Sequence, residues 1–479
     1  IGRKALAALN YDGYAYNTAV GYQAGKTITT GIQNTLIGGL AGDALTEGGY
    51  NVVIGYAALS VEDGHGKNIA IGYQALRDQN AGAHAENVAI GFDSGRSMTT
   101  GVDNTLIGSR AGDALTTGSS NVAVGKNALG SEDAHGRNVA IGRGTLATQD
   151  AGTDAYSVAV GYNAGNDITT GTENTIIGGE AGDALTTGAQ NVVVGRGALG
   201  SEDAHGKVVA IGYAALNAQN AGADSYNVAV GYNAGLSVTT GIRNTIMGGL
   251  AGDALTTGGS NVAIGYGALH TEDTGGRNIA IGPHALLSQN YNGNSYNIAI
   301  GYDAGRNIGT GVQNTLIGGL AGDALTTGTN NIAIGYNALS TEDEHGMNVA
   351  IGSKALQNQN TGTDAYNTAV GYEAGSAVTT GLANTLIGGL AGDALTTGSD
   401  NVAIGVQALS SEDTGGRNVA IGRYALLNQN HDGNAYNVAV GHSAGTAVTT
   451  GIQNTIIGGL AGDALTTGGH NVLLGYSAG

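Results

Sequence analysis

The chain has 479 residues, of which 88 are Gly, with one Pro, one Phe, no Trp and no Cys. That composition excludes a large core of aromatic rings, a disulfide framework, thiolate metal sites and thiol nucleophiles, and so little Pro excludes collagen. A net charge of −19, with only 18 Lys plus Arg scattered singly, leaves no basic stripe for nucleic acid, and there is no apolar run long enough to insert in a membrane.

Reading from the N-terminus, the opening IGRKALAALN lacks the apolar core of a signal peptide, so any export signal is expected outside this segment. A string of Asn, three β-branched or small apolar residues and Gly then recurs at Asn17, Asn34, Asn51, Asn68 and Asn87. The steps are 17, 17, 17 and 19 residues, and this 70-residue set repeats to the end, with Ser157 and Val208 as the substitutions at the Asn place. With the Asn as position 1, positions 2 to 4 predict short strands over 18–20, 35–37, 52–54 and 69–71, and again in each later set. Position 5 is always Gly, as in Gly21, Gly38, Gly55 and Gly72, which predicts a corner that needs positive φ or close backbone approach. Position 8 is always small (Ala41, Ala58, Ala75, with Ser94 and Thr145 as variants) and predicts a tight interior; a later Thr-Thr-Gly, such as Thr99 to Gly101, marks a second turn.

A unit holding one short strand cannot bury itself, so successive units must stack with a rise of about 4.8 Å. The expectation is an all-β protein: one continuous parallel β-solenoid or β-roll over residues 1–479, built from 17- and 19-residue coils. Asn17, Asn34, Asn51 and Asn68 read as the start of a ladder of stacked side-chain amides. Because the chain begins and ends inside a coil, the native chain is expected to continue or to join head to tail.

Positions 2, 3 and 4 are often all apolar, as in Val52, Val53 and Ile54 or Val192, Val193 and Val194. A solenoid strand with one wet face should alternate, so this pattern predicts cover on both faces and lateral association of identical chains. The strings NTAVGYQAG from Asn17 and NIAIGYNAL from Asn331 are similar to the head repeats of trimeric autotransporter adhesins and to repeat regions of phage and bacterial tail-fibre proteins. The resemblance covers essentially the whole chain. It implies a homotrimeric parallel β-roll, exported and used for attachment: an extracellular cell-surface or virion fibre segment serving as a stiff spacer or display rod. Binding of a host-surface glycan or receptor by the shaft is the alternative, and an ice-binding solenoid a third reading.

Two acidic series recur once per set. One is the Asp of AGDAL, as in Asp43 and Asp113; the other is a Glu-Asp pair on the next coil, as in Glu62 and Asp63 or Glu132 and Asp133. Carboxylates from adjacent coils can supply several ligands for Ca²⁺, while the plain reading is a solvated acidic surface. His65, His135, His205 and His345 follow the pairs, but Gly275 and Gly415 take that place elsewhere, so no required base is indicated. Every polar group is one of many equivalent copies, with no unique nucleophile, which predicts a protein that is not an enzyme and carries no resident cofactor. The Tyr after the corner Gly, as in Tyr22 and Tyr162, reads as packing along a coil edge more readily than as a sugar-stacking stripe.

Overall fold

The computed structural model describes residues 1–479. It is an all-β parallel solenoid with 27 strands of three residues and no helix. Two compact units, Ile1–Ile242 and Arg243–Gly479, share one construction. In the first, β1 (Thr18–Val20), β2 (Thr35–Ile37), β3 (Val52–Ile54), β4 (Ile69–Ile71) and β5 (Val88–Ile90) are the opening strands, one per coil. Each pairs in parallel with the next so that like positions face like: Thr18 opposite Thr35, Leu36 opposite Val53, Ile71 opposite Ile90. The second unit repeats this from strand Thr245–Met247 to strand Val472–Leu474.

Between strands the chain turns on residues in the left-handed region. Gly21 has φ 143°, and Gln23 (φ 59°) and Gln33 (φ 58°) follow in the same coil. A left-handed side-chain residue costs roughly 1–2 kcal/mol, but here it aims its N–H along the stack. Gln23 donates to the Arg3 carbonyl at 2.9 Å and Gln33 to the Ala15 carbonyl at 2.7 Å. Such ladder bonds recur coil after coil, so corners as well as strands are backbone-paired.

The core has three layers. The middle strand residue points inward (Leu36, Val53, Ala70, Ala89), and so does the small residue at position 8 (Ala24, Ala41, Ala58, Ala75), all fully buried. The third layer changes its source along the set: Ile28 and Leu45 come from position 12, whereas Leu59 and Leu76 come from position 9. Where position 12 supplies the bulk, position 9 is Gly, because a Cβ on Gly25 would stand 2.6 Å from Leu36 Cδ1 and 2.9 Å from Ile28 Cδ1. The outer strand residues at positions 2 and 4 are only partly covered by their own chain, so Val122 and Val124 flank a buried Ala123.

Candidate functional site

Asn side chains form a buried seam in each unit, interrupted in the first at Ser157 and Val208. Asn17 Oδ1 accepts the Asn34 backbone N–H at 2.8 Å, Asn34 Oδ1 accepts that of Asn51 at 3.0 Å, and Asn51 Oδ1 that of Asn68 at 2.9 Å. The amide nitrogen caps a turn carbonyl of its own coil, as Asn34 Nδ2 does to Gly48 at 2.9 Å. Most of these groups bind their own protein, although the Nδ2 atoms of Asn68, Asn138, Asn191, Asn278 and Asn418 are buried without a hydrogen-bond partner. Beside the seam runs the glycine corner: Gly38, Gly55 and Gly72 have φ between 137° and 143°. No side chain fits there, since a Cβ on Gly178 would stand 2.6 Å from the Gly195 carbonyl.

The acidic corner differs from a solvated surface. Glu62, Glu132, Glu202, Glu272, Glu342 and Glu412 are all 0% exposed, whereas their neighbours Asp63, Asp133 and Asp203 are exposed. The expectation of a solvated Glu-Asp pair is therefore corrected: the Glu is buried in the coil wall and only the Asp is exposed. Glu occupies position 12, the place of the buried Ile28 and Leu45 in the first two coils, and it uses its charge to close the corner. Glu62 Oε1 accepts the His65 N–H at 3.1 Å and Oε2 the Ala81 N–H, one coil on, at 3.4 Å. Burial pushes the Glu62 and Glu412 carboxyls above the ordinary range, against the amide hydrogen bonds that pull them down.

Asp43 and Asp113 lie at another corner, half-buried, and burial raises both. Their counterparts meet side chains one coil on: Ser410 Oγ donates to Asp393 at 2.6 Å, and His270 Nδ1 approaches Asp253 at 2.5 Å. Three clusters bring possible ligand atoms within 4.8 Å of one another: Glu62, Asp63 and His65; Glu202, Asp203 and His205; and Glu132, Asp133, His135 and Asp150. Neither Asp43 nor Asp113 belongs to them. Of the four histidines that follow the Glu-Asp pairs, His65, His135 and His205 belong and His345 does not. Asp150 escaped notice too, although the sequence marks it, since Asn80, Asn220, Asn290, Asn360 and Asn430 fill that place in the other sets.

On the surface, aromatic residues at position 6 stack along the coils: Tyr56 on Tyr73 with centroids 5.7 Å apart, Tyr73 on Phe92 at 5.1 Å, and Tyr213 on Tyr232 at 5.4 Å. A groove of about 460 Å³ lies beside the last pair, lined among others by Glu180, Arg196, Asn217 and Asn233. Threonine hydroxyls are drawn into the ladder, with Thr46 donating to the Asp63 carbonyl at 2.9 Å and Thr116 to that of Asp133 at 3.0 Å. An ice-binding face would have to offer those hydroxyls to water. No helix is long and apolar enough to cross a membrane. Compared with known proteins, this parallel β-solenoid matches no family model, no curated protein and no solved structure.

Proposed function

We propose that this chain is a structural segment of an extracellular fibre or adhesin, a stiff spacer that displays an attachment function and assembles laterally with copies of itself as a homotrimer. The observation that carries the reading is the outer strand face. Val192 is 37% exposed, Ile332 36% and Ile457 41%, although all are apolar, and in-register pairing aligns such residues into a stripe within each unit. An apolar stripe of that regularity calls for cover, and cyclic association of identical chains covers it without a second gene product. The buried polar groups support the same reading, since their hydrogen bonds run from coil to coil and serve stiffness.

Mass per unit length of the purified fibre tests it. One 70-residue set should advance about 19 Å per chain, so three chains per 19 Å support the trimer and one chain overturns it. Ile332→Lys together with Val192→Lys should then release single chains that keep their β circular dichroism.

A second reading, glycan or receptor binding by the shaft, is favoured by the groove beside Tyr213 and Tyr232, where stacked rings meet Arg196, Glu180 and two Asn side chains. Binding of the isolated segment on a glycan array, lost in Tyr232→Ala, would favour it over a pure spacer.

A further inference from the structure

We propose that Glu132, Asp133, His135 and Asp150 form a binding site for a divalent transition ion such as Mn²⁺, Zn²⁺ or Co²⁺, which staples two successive coils. The four side chains offer one imidazole nitrogen and three carboxylate oxygens, all within 4.8 Å of one another. Ligand atoms around such an ion sit about 2.0–2.2 Å from it, so a modest inward rotation of the exposed Asp133 and Asp150 closes the shell. Mixed nitrogen and oxygen donors suit these ions, whereas Ca²⁺ takes oxygen.

The buried glutamate has an open oxygen, a feature it shares with Glu342, and the fourth ligand, Asp150, singles out this copy. Glu132 is 0% exposed; its Oε1 accepts the His135 N–H at 3.2 Å, while its Oε2 has no hydrogen-bond partner. In the copy at Glu202, Oε2 accepts the Ala221 N–H at 3.1 Å, and in that at Glu62 it accepts the Ala81 N–H at 3.4 Å. Protein amides thus use that oxygen in those two copies, whereas the equivalent Ala151 amide is the weakest of the groups acting on the Glu132 carboxylate. His135 Nδ1 is also buried without a hydrogen-bond partner, 3.7 Å from Glu132 Oε1. The nearby cation does not fill the gap, because Arg137 pairs with Asp154 at 3.0 Å and lies over the Tyr156 ring.

Asp150 completes the set. Its counterparts at Glu62 and Glu202 are Asn80 and Asn220, and those clusters have three members. It sits on the coil after Glu132, so an ion held by both joins neighbouring coils in a single chain, whatever the oligomeric state. The frame is rigid: the Asp133 carbonyl takes the Thr116 amide at 2.6 Å and hydroxyl at 3.0 Å, and Gly136 N–H donates to Asp154 at 3.0 Å. Support of this kind fixes ligand orientation.

Mn²⁺ binding to the full chain, followed by loss of the free-ion electron paramagnetic resonance signal, tests the site. The result expected is a tightest class of one ion per chain, with ¹⁴N modulation from the imidazole in the bound-ion spectrum. Asp150→Asn and His135→Gly install residues the chain already uses at the equivalent places, so both fold, and each should weaken that class at least about tenfold. Unchanged binding in either variant, a bound ion without nitrogen coupling, or no binding at millimolar Mn²⁺ overturns the proposal.

Discussion

Glu412 Oε1 accepts the backbone N–H of Gly415 at 2.8 Å while the glutamate itself has no exposed surface. The same carboxylate takes the His431 N–H at 3.3 Å, so one charged group closes its own turn and the next coil. Glu412→Ala leaves the buried Gly415 donor unmet, at about 1–3 kcal/mol, and the part-buried His431 donor with it. Hydrogen exchange should show the Gly415 amide losing its protection, and unchanged protection would sink the capping role.

Stability should rise on mild acidification. Burial raises the carboxyls of Glu62, Glu132, Glu272, Glu342 and Glu412, and likewise those of Asp43, Asp113 and Asp393. A group whose folded pKa exceeds its unfolded one binds its proton more tightly when folded. Its contribution is fully present below the ordinary carboxylate range and fades as pH climbs through the raised value. Denaturation midpoints should therefore increase as pH falls from 7 towards about 4.5, with a shallower rise in Glu412→Gln, which keeps Oε1 as an acceptor. A midpoint that falls over this interval contradicts the assignment.

The glycine corner gives a sharp contrast between two glycines. Gly335 has φ 136°, and a Cβ there would stand 2.5 Å from the Gly352 carbonyl, whereas a Cβ on Gly362 meets nothing within 4 Å. Gly335→Ala should cost about 2–5 kcal/mol from strain and overpacking. Gly362→Ala should stay within about 0.5 kcal/mol. Equal effects in chemical denaturation would show that the corner is not what fixes the coil spacing.

Much of this fold was legible because its period is written in small residues. Asn at position 1, Gly at position 5 and Ala at position 8 each meet a copy of themselves one coil on, so the constraint on one coil is the constraint on all. Glu62 was not legible in that way. A carboxylate in an exposed-looking Glu-Asp pair gives no sign in sequence that its neighbour faces water while it faces the core, and position 12 carries Ile28, Leu45, Glu62 and Gln79 within one set. The cluster at Asp150 was hidden for a related reason: its members come from two coils and depend on which way each side chain leaves the wall.

Asn401 tests the amide seam. Its Oδ1 accepts the Asn418 N–H at 3.0 Å and its Nδ2 donates to the Gly415 carbonyl at 3.0 Å. Asn401→Ala removes both, leaving a buried donor and acceptor, and should cost about 2–4 kcal/mol. Asn401→Asp keeps the acceptor but sets a carboxylate oxygen against the Gly415 carbonyl, so it should rescue little at neutral pH and more in acid. Identical behaviour of the two variants at all pH values would remove the donor half of this account.

The exchange of bulk between positions 9 and 12 predicts coupling between two neighbouring substitutions. A Cβ on Gly392 would stand 2.8 Å from both Leu395 Cδ1 and Leu386 Cδ2, and Leu395 is fully buried. Leu395→Ala alone opens a cavity worth about 2–5 kcal/mol; Gly392→Ala alone crowds the same space and adds left-handed strain at φ 55°. In the double variant the added methyl enters room vacated by the leucine. Its loss of stability should fall short of the summed single losses by about 0.5–3 kcal/mol. Strict additivity would mean that Gly392 is required for its backbone conformation alone, and that the leucines of the third layer choose their positions independently of it.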